Sequence, residues 1–228
     1  MGRDVILTEK VEKFAKKIGI DLIGFADPAH FERYKKRYKP FKFLKDAQTV
    51  IVLGVYMYDL ILDAWSQDLK SGRGSHFMDS IIENRAYQLK DFIEKEGFQS
   101  VVISYNPGLY LKEAAALAGI GAIGKNNLLI TEDYGAQVRL RAMVTNASLK
   151  VGDPINNCKY CENCTLCVIA CPADALSDGI YDREKCFPYT QSHLKKLSDS
   201  SSIWCNKCIE ACPIGKKRDK DIFSLGQS

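Results

Sequence analysis

The sequence predicts an α+β fold: a mixed α/β body over residues 1–150, then a smaller cysteine-built module over residues 151–228. Three observations carry this reading. Helical and strand periodicities alternate through the first part. All nine cysteines lie between Cys158 and Cys212. A polar, turn-like stretch, Lys150-Val-Gly-Asp-Pro154, stands at the change. No long Gly/Ser- or Pro-rich segment follows it, so the module is expected to pack against the body rather than hang on a linker.

The body reads in order. Val11, Phe14, Ala15 and Ile18 fall at i, i+3, i+4, i+7, an amphipathic helix after Thr8. Asp21–Phe25 is a short apolar run and Thr49–Val55 a β-branched one, so both are expected strands. Met78, Ile81, Ile82, Ala86, Leu89, Phe92 and Ile93 mark a long helix stopped at Gly97. Ser100–Ser104 reads as a strand and Lys112–Ala118 as a helix. Val138, Leu140, Ala142 and Val144 alternate with Gln137, Arg139, Arg141 and Met143, a half-buried strand.

The module is legible from its spacing. Cys161, Cys164, Cys167 and Cys171-Pro172 form C-x2-C-x2-C-x3-C-P, the pattern of two-cluster bacterial iron–sulfur proteins. Cys205, Cys208 and Cys212-Pro213 repeat the C-x2-C-x3-C-P half. Thiolates two residues apart can wrap one cluster, while the cysteine three residues on ligates the other. Cys161, Cys164, Cys167 and Cys212 are therefore expected on one [4Fe–4S] cluster. Cys171, Cys205 and Cys208 are expected on a second, with Cys186 as the natural fourth ligand. The result is a ferredoxin-like double [4Fe–4S] module able to pass electrons. Cys158 is left over, because the frame 158/161/164 would break the register of the x3-Cys-Pro ending.

Two blander readings compete. A disulfide framework needs an oxidising compartment and usually a short chain with an even cysteine count. This chain has 228 residues and nine cysteines. Paired C-x2-C also builds zinc sites, but zinc does not require the repeated x3-Cys-Pro. Composition adds bounds: 46% hydrophobic and 26% charged residues suit a globular protein. No apolar stretch approaches the ~20 residues of a membrane span. The start, Met1-Gly-Arg-Asp-Val-Ile, has no apolar signal core or twin arginine, which points to the cytoplasm. A net charge of +4 is too small to argue for nucleic acid by itself. Phe31–Lys45 is nevertheless dense in Arg, Lys, Phe and Tyr. That is either a nucleic-acid-tracking patch or, as favoured here, a surface turn with inward aromatics and solvated lysines.

Gly119-Ile-Gly121-Ala-Ile-Gly124-Lys125-Asn126 matches G-x-G-x-x-G. A dinucleotide fingerprint follows a strand and opens a helix. Here a helix precedes and the apolar strand Asn127–Ile130 follows, so a nicotinamide cofactor is discounted. The loop is either an ordinary helix C-cap and turn or a close approach to a flat ligand.

With this loop the chain resembles the epoxyqueuosine reductases and the related reductive dehalogenases. Glu113–Ile130, Ala15–Ala26, Ala47–Tyr56, Lys185–Thr190 and Trp204–Pro213 all look like their family counterparts. The resemblance implies a nitroreductase-like core and a base-off cobalamin between body and cluster module. It further implies electron flow from an outer to an inner cluster and on to cobalt, and an electron donor such as a ferredoxin or flavodoxin. It places Gly121, Gly124, Lys125 and Asn126 near the corrin and Cys186 on a cluster. Three departures stand out. The stretch Ser104-Tyr105-Asn106-Pro107 has no carboxylate where the family places its general acid, so Tyr105 is the candidate proton donor. Ala122 replaces a bulky aromatic. The chain stops soon after the second cysteine run, without a tRNA-binding helical extension. The departures count against tRNA as the substrate. The expectation is an iron–sulfur, cobalamin-dependent reductase of unassigned substrate; the alternative is a non-enzymatic electron carrier serving a partner, for example a corrinoid protein.

Overall fold

The computed structural model describes residues 3–67, 74–105, 108–177 and 179–215. Met1, Gly2, Asn106 and Pro107, on which the N-terminal and general-acid arguments partly rested, lie outside the described residues. In chain order the elements are α1 (Val5–Lys17), β1 (Leu22–Ala26), β2 (Thr49–Tyr56), β3 (Trp65–Gln67), β4 (Gly74–His76), α2 (Phe77–Lys95), β5 (Ser100–Val102) and α3 (Leu111–Leu117). There follow β6 (Ala122–Ile123), β7 (Leu129–Ile130), β8 (Val138–Thr145), α4 (Leu166–Ile169), β9 (Leu176–Ser177), β10 (Ile180–Tyr181), α5 (Arg183–Ser192), β11 (Lys195–Ser198), β12 (Ser201–Ile203) and α6 (Lys207–Glu210). Among the described residues no helix is long and apolar enough to cross a membrane.

The chain divides into two compact units, and they are not consecutive in sequence. Unit 1 takes Met1–Val55, Ile81–Ala122 and Arg139–Asn156; unit 2 takes Tyr56–Ser80, Ile123–Val138 and Asn157–Ser228. The single boundary expected near residue 150 thus omits two excursions of the body into unit 2. The cause is backbone pairing. β3 pairs with β12, Ser66 opposite Ser201 and Trp65 opposite Ser202. Gly135, at a positive φ of 54°, packs so closely that a Cβ there would lie 2.0 Å from the Ile214 carbonyl oxygen.

Unit 1 is built on the sheet β1-β2-β8-β5. β1 runs antiparallel to β2, with Ile23 opposite Leu53, and β5 antiparallel to β8, with Val101 opposite Val144. The expected α1 begins earlier than Thr8 because the Asp4 carboxylate caps it, accepting from the Leu7 N–H at 2.8 Å. Thr8 lies inside, its hydroxyl donating to the Asp4 carbonyl. α1 packs on α2 through a Phe14–Phe92 stack with centroids 4.4 Å apart. Ile82, Ala86, Leu89 and Ile93 bury the same stripe of α2 that the periodicity picked out, and Gly97 closes it at φ 93°.

One expectation fails in detail. β8 alternates like a half-exposed strand, yet it is buried from Leu140 to Thr145. It is a central strand of its sheet, and Arg141, 3% exposed, lies beneath α2 with its guanidinium 3.8 Å from Glu83. A long cation whose stem is apolar and whose head meets a carboxylate can occupy a core position.

Unit 2 holds the sheet β11-β12-β3-β4 and two two-stranded ribbons, β6-β7 and β9-β10. Gly74 is required in β4: a Cβ there would fall 2.3 Å from the Trp65 ring of the paired strand.

Candidate metal centre and cofactor cavity

The two cysteine runs fold alike. Each leads into a single helical turn, α4 after Cys164 and α6 after Cys205, and these two turns pack against each other. Each ends by bending back: the Cys171 N–H donates to the Val168 carbonyl at 3.2 Å, and the Cys212 N–H to the Ile209 carbonyl at 3.1 Å. This pairing carries the last cysteine of each run across to the other run. Cys161, Cys164, Cys167 and Cys212 line one small cavity with Asn126, Ile130, Tyr160, Leu166, Pro213 and Ile214. Cys171, Cys186, Cys205 and Cys208 line a second. Cys186 arrives on α5, whose first turn is capped by Asp182, the carboxylate accepting from Glu184 and Lys185 N–H groups at 2.9 and 3.2 Å. Cys158 lines neither cavity.

The thiol environments are electrostatically uncomfortable without a cation. Burial, then the fields of Cys205, Cys167, Cys186 and Cys171, push the Cys208 thiol up to about 12. Cys167 is raised for the same reasons, burial first and then Cys161 and Cys164. Cys158 is pushed up to about 11 by burial and by its hydrogen bond with Cys161. Thiolates forced together in apolar surroundings are a poor resting state and a good ligand set for metal, which displaces their protons. Four thiols gathered on each of two cavities are a donor set of the kind that binds zinc or an iron–sulfur cluster. Two further features fit. Gly124 lets the β6–β7 turn approach so closely that a Cβ would stand 3.1 Å from Cys161 Sγ and 2.6 Å from Ile130 Cγ1. The Ala175 N–H points at Cys171 Sγ from 3.4 Å.

That close approach gives the glycine loop a structural role beside the cysteines. α3 ends, Gly119 takes φ 75°, and β6 and β7 form a ribbon with Asn127 at φ 57°. The Gly124 N–H donates to the Leu128 carbonyl at 2.9 Å. Asn126 lines both thiol cavities, and Lys125 Nζ donates to the Glu162 carbonyl at 3.3 Å. Within unit 2, then, the loop serves the cysteines. Gly121 belongs to unit 1.

A large cavity lies elsewhere in unit 2. It measures about 680 Å³, within the range of organic-cofactor sites. Leu60, Ile61, Leu197, Ile203 and Trp204 supply apolar wall; Tyr58, His193 and Asn206 supply polar groups. Trp204 is held edge-on by His76 (5.6 Å) and Phe187 (6.1 Å). The His193 ring stacks on Tyr189 at 4.0 Å, with Nδ1 2.9 Å from the Tyr189 carbonyl. Cys205, Tyr189 and Lys207 line both this cavity and that of the second thiol quartet. Sequence reasoning missed the cavity because its walls come from a 3-10 turn at Leu60–Asp63, from β11 and β12, and from α6, joined only by the fold. Trp204 beside Cys205 was the one local signal.

Tyr105, the candidate proton donor, belongs to unit 1. It is 63% exposed, with the Arg139 guanidinium 5.7 Å from its ring centroid. In the basic segment of unit 1 the lysines Lys35, Lys36, Lys42 and Lys45 are exposed and Phe31 packs inward, 1% exposed, as expected, while the next rings are only half-buried: Tyr34 and Tyr38 meet Tyr110, 43% exposed, at 5.4 and 4.6 Å. Arg33 and Arg37 lie over Tyr34 and Tyr38 at 5.0 and 4.6 Å.

Comparison with known proteins follows the same lines. No family model matches the chain. The epoxyqueuosine reductase of Lactococcus garvieae is 27% identical over 92% of this chain and 70% of its own length. The structure of an epoxyqueuosine reductase with an epoxyqueuosine-modified tRNA-Tyr stem loop superposes with a TM-score of 0.70 at 22% identity, over 92% of this chain and 66% of that one. A reductive dehalogenase whose structure suggests a mechanism for B12-dependent dehalogenation gives a TM-score of 0.64 at 17% identity, over 98% of this chain and 35% of that one. The chain thus spans about two thirds of the length of the epoxyqueuosine reductases it matches. In sequence over most of its length the chain resembles the epoxyqueuosine reductases, and it shares its fold with them and with the reductive dehalogenases.

Proposed function

We propose that the chain is an iron–sulfur oxidoreductase that passes electrons through two [4Fe–4S] clusters to a corrinoid seated in the large cavity. One observation carries the reading: Cys205 lines both that cavity and the cavity of the second thiol quartet. Cys161, Cys164, Cys167 and Cys212 would hold the outer cluster; Cys171, Cys186, Cys205 and Cys208 the inner one. A corrinoid supplies reducing chemistry that no side chain here can perform. The protein's share is to wall the site with Trp204, Ile203 and Leu197, to exclude water, and to offer polar partners from Tyr58, His193 and Asn206. Tyr105 is proposed as the proton donor. The electron donor is proposed to be a small low-potential protein.

The test is anaerobic reconstitution followed by cobalamin titration. Roughly eight irons per chain with a base-off cobalamin spectrum support the reading. Full iron with no spectral change leaves the electron carrier without a corrinoid. Zinc in place of iron overturns both.

The surface ring cluster favours an RNA stem loop as the substrate-bearing partner. Exposed Arg33, Lys35, Lys36 and Arg37 would meet phosphates, and Tyr34, Tyr38 and Tyr110 offer stacking faces. The triple change Lys35→Glu, Lys36→Glu, Arg37→Glu is expected to weaken stem-loop binding about tenfold or more and to flatten its salt dependence. An unchanged salt slope would remove the patch from the interface.

A further inference from the structure

Tyr160 precedes the first cysteine ligand and lines the cavity of the first thiol quartet. Its phenolic oxygen is buried and has no hydrogen-bond partner. A buried hydroxyl without a partner forfeits about 1–3 kcal/mol, so such groups are rare unless a bound species completes them. The polar neighbour the structure supplies is Lys159, its ammonium 5.0 Å from the Tyr160 ring centroid. An ammonium can only donate, so its approach to the phenol leaves the phenolic proton unspent. The other groups around the cavity are the four sulfurs, apolar side chains, Pro213 and Asn126, whose Oδ1 already accepts from the Leu128 N–H at 3.1 Å.

We infer that Tyr160 donates its O–H to a sulfur of the cluster held by Cys161, Cys164, Cys167 and Cys212, and so sets that cluster's reduction potential above what its thiolates alone would give. The inference rests on the cluster reading of that quartet. The sign follows from charge. Reduction adds an electron to a core already made negative by four thiolates, and a hydrogen bond to sulfur favours the more negative state. Removing the donor makes the cluster harder to reduce. The second quartet also has a tyrosine against it: the Tyr181 phenol is hydrogen-bonded to the Cys186 thiol.

The experiment is an EPR-monitored redox titration of the reconstituted full chain. Tyr160→Phe is expected to keep full iron and to move one midpoint potential to lower values. The cluster affected should be the one lost in Cys164→Ala. A site-specific 3-fluorotyrosine at position 160, nearly the same size and a stronger donor, should move the same midpoint upward. Should Tyr160→Phe lose iron, the fluorotyrosine chain alone decides. Two midpoints unmoved by the available variants, in protein with full iron, overturn the inference and leave the cluster reading standing. Wild-type protein that takes up no iron sinks both.

Discussion

Cys212→Ala is expected to lose about four of roughly eight irons, and the four it loses should be those lost in Cys164→Ala. The two residues are 48 positions apart, in different motifs, and nearest-neighbour logic would pair Cys212 with Cys208 instead. The structure brings Cys212 to the cavity lined by Cys161, Cys164 and Cys167, because α4 and α6 pack together and each run bends back after its helical turn. Cys171→Ala should conversely remove the centre lost in Cys205→Ala or Cys186→Ala. EPR of the reduced variants distinguishes the outcomes: each single variant should retain one unperturbed signal, and the double variant Cys164→Ala/Cys212→Ala should match either single. Loss of different signals by Cys164→Ala and Cys212→Ala would show that the runs bind separately. Cys158→Ala should keep all the iron, since Cys158 lines neither cavity and its carbonyl, which accepts the Cys161 N–H at 2.9 Å, is kept in the variant.

What the sequence could disclose, and what it could not, follows from the range of the interactions. The helices α1, α2 and α3 are periodic over one or more turns, so burial on one side leaves a local trace. The cysteine spacing is likewise a local constraint, since each run must wrap a compact centre. Arg141 was read as solvent-facing because alternation assumes one wet face, and only the sheet order puts β8 between β2 and β5. The glycine loop was legible as a close approach but not as to what: Gly124 meets Cys161 Sγ, 37 residues away. The large cavity left almost no trace. Tyr58, Gln137, His193 and Trp204 share no motif, and they meet through β3–β12 pairing and the Met57–Gln137 hydrogen bond. The two compact units interleave in sequence for the same reason, because long-range pairing joins segments on either side of the compositional break at residue 150.

Trp204→Ala should weaken cobalamin binding about 10- to 30-fold, roughly 1.4–2 kcal/mol, while leaving the iron count unchanged. Trp204 presents a large apolar face to the cavity and is held there edge-on by His76 and Phe187, so its orientation is fixed before any ligand arrives. Its neighbour Cys205 makes the control essential: a variant that disturbed the second quartet would lose iron as well as affinity. Ile61→Trp tests the same cavity from the opposite sense. Ile61 lines it, is 49% exposed, and stands on the 3-10 turn Leu60–Asp63, which carries no cysteine, so added bulk there should occupy the cavity, with the iron count reporting whether Cys205 is disturbed. If filling and emptying the cavity both weaken the corrinoid while iron and potentials hold, the cavity is its seat. If corrinoid binds wild type and both variants equally, the ligand sits elsewhere, and the contact between Cys205 and the cavity is no electron path.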